Sequence, residues 1–123
     1  MKSLLLVAHG SRLVSSNDAI QQLTLKLRKK LAASGFNDVE YAFLELTKPS
    51  IPDGIAKLIS HGATDVVVLP YFLAPGTHVV DDVPELIEEA RKEYPEVSFK
   101  VMTHLGAVDG MIDLILSSAD VAV

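Results

Sequence analysis

The 123-residue sequence contains no cysteine. That excludes disulfides, thiolate nucleophiles and thiolate metal sites, so any metal held here must be held by imidazole and carboxylate. No apolar run approaches the ~20 residues that span a bilayer, and no membrane association is expected. The first apolar run is short, lacks a small-residue cleavage site and leads into His9-Gly10-Ser11-Arg12. No signal peptide is therefore expected, and a cytoplasmic location is. An excess of positive charge is missing too. The formal net charge is −5, which argues against a nucleic-acid partner. There is no P-loop, no glycine-rich dinucleotide turn, no repeat, no low-complexity segment and no linker.

What the chain does have is core material: 49% hydrophobic and 22% charged residues. Length and composition fit one folded domain over 1–123. Leu4 to Ala8 is a short continuous apolar run with turn residues after it, as expected of a strand buried on both faces. Ile20, Leu23, Leu27 and Leu31 recur at helical spacing, with Ser15 and Asp18 as a capping box and Gly35 as the C-terminal stop. Asp38 to Glu45 reads as a second strand. Ser50 and Pro52 open a helix that Gly62 ends. Asp65 to Pro70 is a third strand, followed by a long loop from Tyr71 to Asp81. Asp82 with Glu85 caps a third helix that stops before Pro95. Val97 to Met102 is a fourth strand, and Asp109 to Ala119 a last helix.

Strands alternating with helices imply an α/β fold: a flavodoxin-like three-layer sandwich with a four-stranded parallel sheet in the order 2-1-3-4. Ligands of such sheets bind beyond the carboxyl ends of the strands, where the strand order reverses. His9 ends strand one, Glu45 ends strand two, and His78 falls in the loop after strand three. His104 follows strand four on the same rim. His61 ends the second helix at the opposite edge, where its expected role is contact with helix-end carbonyls. Each rim residue has an ordinary alternative: Glu45 pairing with Lys48 or Arg12, His78 solvated in its loop. The three together suit a borderline divalent metal such as cobalt, nickel, iron or zinc. They suit proton transfer near neutral pH equally well.

The residues at this point carry a resemblance. Leu6-Val7-Ala8-His9-Gly10-Ser11-Arg12, Phe43-Leu44-Glu45-Leu46-Thr47-Lys48-Pro49-Ser50-Ile51, Leu69-Pro70-Tyr71-Phe72-Leu73 and Gly76-Thr77-His78 leading to Asp82-Val83-Pro84 resemble the class II tetrapyrrole chelatases. Within them, the small sirohydrochlorin cobaltochelatases of the CbiX type and the related ferrochelatases are most similar. The resemblance runs in order through nearly the whole chain and makes it a single chelatase half-domain. It implies a sirohydrochlorin-type tetrapyrrole as partner, a divalent metal as substrate (Co²⁺, with Fe²⁺ or Ni²⁺ as alternatives), no organic cofactor, and a homodimer.

The same resemblance implies that His9, Glu45 and His78 bind metal and take up pyrrole protons. His9 is the first choice of base and ligand, His78 the facing ligand, and Glu45 the charge-balancing or relaying group. Both imidazole roles need the neutral form, so activity is expected to fall at acid pH. Ser11, Arg12, Tyr71, Phe72, Leu73 and Val79 are expected ring contacts, with Arg12 or Lys48 offsetting substrate carboxylates. Relatives often carry proline where this chain has His104, which leaves that histidine as an extra ligand or a bystander. Met111, Ile112, Leu114, Ile115, Leu116 and Val121 occupy more than one face of the last helix, as expected if part of it is covered by a second subunit. A tetrapyrrole or metal carrier without turnover and a phosphate binder using Ser11 and Arg12 stand as alternative functions.

Overall fold

The computed structural model describes residues 1–74 and 76–121, and the side chains of residues 77–80 lie outside that description. Strand β1 (Lys2–Ala8) is buried from Leu5 to Ala8. A strand apolar on both faces needs neighbours on both sides and cover above and below. It pairs in parallel with β2 (Asp38–Phe43) and with β3 (Asp65–Pro70). β4 (Ser98–Val101) adds in parallel to β3, which gives the expected order β2-β1-β3-β4.

The helices are α1 (Val14–Arg28), α2 (Ile51–Ser60), α3 (Thr77–Glu93) and α4 (Gly110–Asp120). Leu5, Val7, Ala42, Val66, Val68 and Phe99 meet Ile51, Ile55 and Leu58 of α2 and Val83, Ile87 and Ala90 of α3 in one buried cluster. The other face is covered less completely: Leu4, Val67 and Leu69 are only half-buried there. None of the described α4 residues is buried. No helix among the described residues is long and apolar enough to cross a membrane.

α2 forms as its sequence dictates. The Ser50 side chain accepts a hydrogen bond from the Asp53 N–H (3.3 Å), and Pro52 sits in the first turn, where a missing N–H has no partner to lose. Other boundaries differ from expectation. α1 starts at Val14 without a side-chain cap, so Ser15 and Asp18 form no capping box. It ends at Arg28, ahead of a short 3-10 turn at Leu31–Ala33 that separates it from Gly35. α3 starts at Thr77, so residue 78 lies in a helical first turn and not in a loop, and Asp82–Glu85 is no helix start. Pro84 removes one backbone bond of this helix, but Val83 and Ile87 bury fully on the sheet and hold it. His61 pairs through Nδ1 with the Asp38 carboxylate (3.3 Å) and not through its ring with helix-end carbonyls.

One buried charge went unread in the sequence. Glu40, inside the second strand, is 2% exposed. It is paired with Arg28 Nη2 (3.0 Å) and Lys57 Nζ (3.1 Å). Arg28 also donates from Nε to the Val39 carbonyl (3.1 Å). β2 is an edge strand, and Arg28 reaches round that edge from α1 to a carboxylate on the α2 face.

Candidate functional site

Strand pairing continues past the ends of β1 and β2. The Leu44 N–H donates to the Ala8 carbonyl (2.9 Å), and the Glu45 N–H to the His9 carbonyl (3.1 Å). This zipping puts residues 9 and 45 side by side at the carboxyl edge of the sheet, although 36 positions separate them in the chain. Their side chains meet there: His9 Nε2 lies 3.0 Å from Glu45 Oε1. The two side chains are 53% and 56% exposed, so the pair opens to solvent and holds the fold together only weakly.

An ionised carboxylate accepts hydrogen bonds and cannot donate them. Against Glu45, Nε2 is therefore the protonated nitrogen of a neutral His9 ring, and Nδ1 keeps its lone pair. That is the form able to take a proton or hold a cation, with the carboxylate orienting the ring. Phe72 meets the imidazole edge-on, with ring centroids 6.4 Å apart and planes at 82°.

The loop that carries His9 is held at two further points. Gly10 has φ +97°, and a Cβ there would stand 1.9 Å from the Glu45 carbonyl oxygen. Only glycine lets the first loop lie against the second. The Asn17 side chain then clamps the loop to α1. Its Oδ1 accepts from the Ser11 N–H (3.0 Å) and its Nδ2 donates to the Ser11 carbonyl (2.7 Å). Ser11 Oγ accepts in turn from the Leu13 N–H (3.0 Å). Asn17 can reach back to Ser11 because α1 starts at Val14 and so carries it in its first turn.

A cleft of about 270 Å³ opens beside the pair, lined by His9, Ser11, Asn17, Phe43, Tyr71 and Phe72. Ser11, Tyr71 and Phe72, the expected ring contacts, line the same cleft as His9. Leu73 is exposed beside them, and Arg12 and Lys48 are exposed in the loops that bear His9 and Glu45. The backbone places His78 in the first turn of α3, directly after β3, the neighbour of β1. The expected roles of the His78 and Val79 side chains fall outside the described residues. His104 lies half-buried beyond β4, ahead of the 3-10 turn Leu105–Ala107. Among the described residues, no three metal-ligating side chains come together.

A larger open groove, about 710 Å³, runs along α3 past Asp81, Glu85, Glu88 and Glu89. Among the described residues it is lined by no imidazole, and its four carboxylates outnumber its one cation, Lys92, so that it disfavours an anionic ligand. The smaller cleft is therefore the functional candidate.

A family model described as CbiX matches residues 3–122. The chloroplastic sirohydrochlorin ferrochelatase of Arabidopsis thaliana is 35% identical over 112 residues, 91% of this chain and 48% of that protein. The sirohydrochlorin cobaltochelatase of Sulfurisphaera tokodaii is 38% identical over 91 residues, 74% of this chain and 72% of that protein. The crystal structure of the sirohydrochlorin chelatase SirB from Bacillus subtilis subspecies spizizenii, in complex with cobalt, is 28% identical with a TM-score of 0.77. It is matched over 98% of this chain and 51% of SirB. The chain spans about half the length of most of the curated relatives it matches.

Proposed function

The chain belongs to the CbiX family, and from that membership we propose that it inserts a divalent metal into sirohydrochlorin. Co²⁺ is the preferred metal, with Fe²⁺ or Ni²⁺ as alternatives. The observation that carries this reading is the His9–Glu45 pair, 3.0 Å apart at the open edge of the sheet beside the cleft.

Insertion of M²⁺ into a free-base ring gives the metallated ring and releases two N–H protons. His9, its Nε2 held by Glu45, offers Nδ1 first to the cation and then to a departing proton. Glu45 stabilises the imidazolium that forms and passes the charge outward to solvent. His78, in the first turn of α3, is assigned as the facing ligand and second base. Tyr71, Phe72 and Leu73 would meet the ring, while Ser11, Arg12 and Lys48 would meet its carboxylates. The relatives' names divide between cobalt and iron, and the borderline ligand set accepts both. The apolar α4, left outside the core of its own chain, also supports action as a homodimer. We place the reaction in the cytoplasm.

The deciding assay follows the absorbance of sirohydrochlorin with Co²⁺, Fe²⁺ or Ni²⁺ in turn. Wild type is expected to accelerate metallation catalytically, and His9→Ala to lose at least about a hundredfold in rate, the usual scale of general base catalysis. Binding of one ring per site without turnover would identify a carrier and overturn the chelatase reading.

A further inference from the structure

Leu46 follows Glu45 directly and has φ +70°. The Thr47 N–H donates back to the Glu45 carbonyl (2.9 Å), which closes a γ-turn over Leu46. With positive φ this is the rarer and more strained kind of γ-turn. Glycine or asparagine would adopt it with less strain than leucine. The leucine side chain gives the fold little in return, because Leu46 is 53% exposed. One residue thus combines an unfavourable backbone conformation with apolar surface presented to water, and it does so beside the proposed reacting carboxylate. Strain maintained without benefit to packing points to contact with something outside the chain.

Two further leucines are exposed at the same edge of the sheet. Leu13 lies in the loop after β1, which also carries His9, and Leu73 in the loop after β3. We propose that Leu46 is a substrate-contact residue, whose apolar side chain is held against the face of a planar macrocycle lying over the His9–Glu45 pair. This rests on the chelatase reading and names a contact that sets affinity for the ring. The occupant fits the site's chemistry: apolar in its body, so that it covers exposed leucine, with N–H groups at its centre for the imidazole and carboxylate.

Leu46→Gly and Leu46→Asn keep the turn and remove the apolar surface. Five quantities are read on each: melting temperature, molecular mass by light scattering, Kd for metal-free sirohydrochlorin by absorbance titration, and KM and kcat for insertion. The expected result is an unchanged or higher Tm, a Kd and KM raised about fivefold by the lost apolar contact, and kcat within about twofold of wild type. A lowered Tm in both variants would show that Leu46 serves the fold, and unchanged Kd and KM would show that it meets no ring. Either result overturns the proposal. So does a halved molecular mass in both variants, which would make a second copy the occupant. Wild type that binds the ring without inserting metal sinks the chelatase reading alone, since the Kd ratio still decides the role of Leu46. Wild type that binds no ring sinks both.

Discussion

Gly10 meets two constraints at once. Its φ of +97° is strained for any side chain, and the space a Cβ needs is filled by the Glu45 carbonyl. Gly10→Ala should therefore push the first loop off the second and separate His9 from Glu45. A loss of at least about 2 kcal/mol in urea unfolding is expected, together with an insertion rate approaching that of His9→Ala. Unchanged stability would mean that the loop has another way to lie. The closeness of His9 and Glu45 was legible in the sequence, because both follow strands that had to be neighbours in a 2-1-3-4 sheet. The Asn17 clamp on Ser11 was not. It depends on α1 starting at Val14, and no capping residue marks that start.

At the scale of elements, α2 is the easiest to read, with Ser50, Pro52 and Gly62 acting locally as expected. α3 is harder, because Pro84 and the Asp82–Glu85 pair imitate a helix start while burial of Val83 and Ile87 keeps the earlier turn in place. Arg28 ties α1 to the edge strand β2. Its loss leaves the buried Glu40 with Lys57 and the Tyr41 N–H, and the Val39 carbonyl without its guanidinium. Arg28→Ala is expected to lower unfolding free energy by about 2 kcal/mol, below the full value of a buried pair because Arg28 is partly exposed and Lys57 remains. Arg28→Lys should recover little, since an ammonium cannot bridge the carbonyl and the carboxylate as the planar fork does. Full recovery by lysine would reduce the contact to simple charge.

At the scale of the whole molecule, α4 stands out. Ile112, Leu114, Ile115 and Leu116 are exposed, and the α1 face of the sheet is only partly covered. An apolar helix left outside the core of its own chain is a surface for association. If a second copy covers it, light scattering at micromolar concentration should give about twice the 13.3 kDa of one chain. The double variant Ile112→Asp, Leu116→Asp should then run as a monomer with unchanged far-UV circular dichroism, because neither side chain is buried in its own chain. A wild type that is already monomeric would remove the dimer from the proposed function.

The sequence by itself determined the parallel α/β sheet, its strand order, and the placement of His9 and Glu45 at one edge. These follow from local signals: a strand apolar on both faces, helices with one apolar stripe, and crossovers of one hand. Only the tertiary structure decided the Gly10–Glu45 approach, the Asn17 clamp, the strained turn at Leu46 and the ion cluster around Glu40. Each is set by contact between segments brought together by folding or by a backbone angle those contacts hold, and residue spacing along one segment carries no record of either.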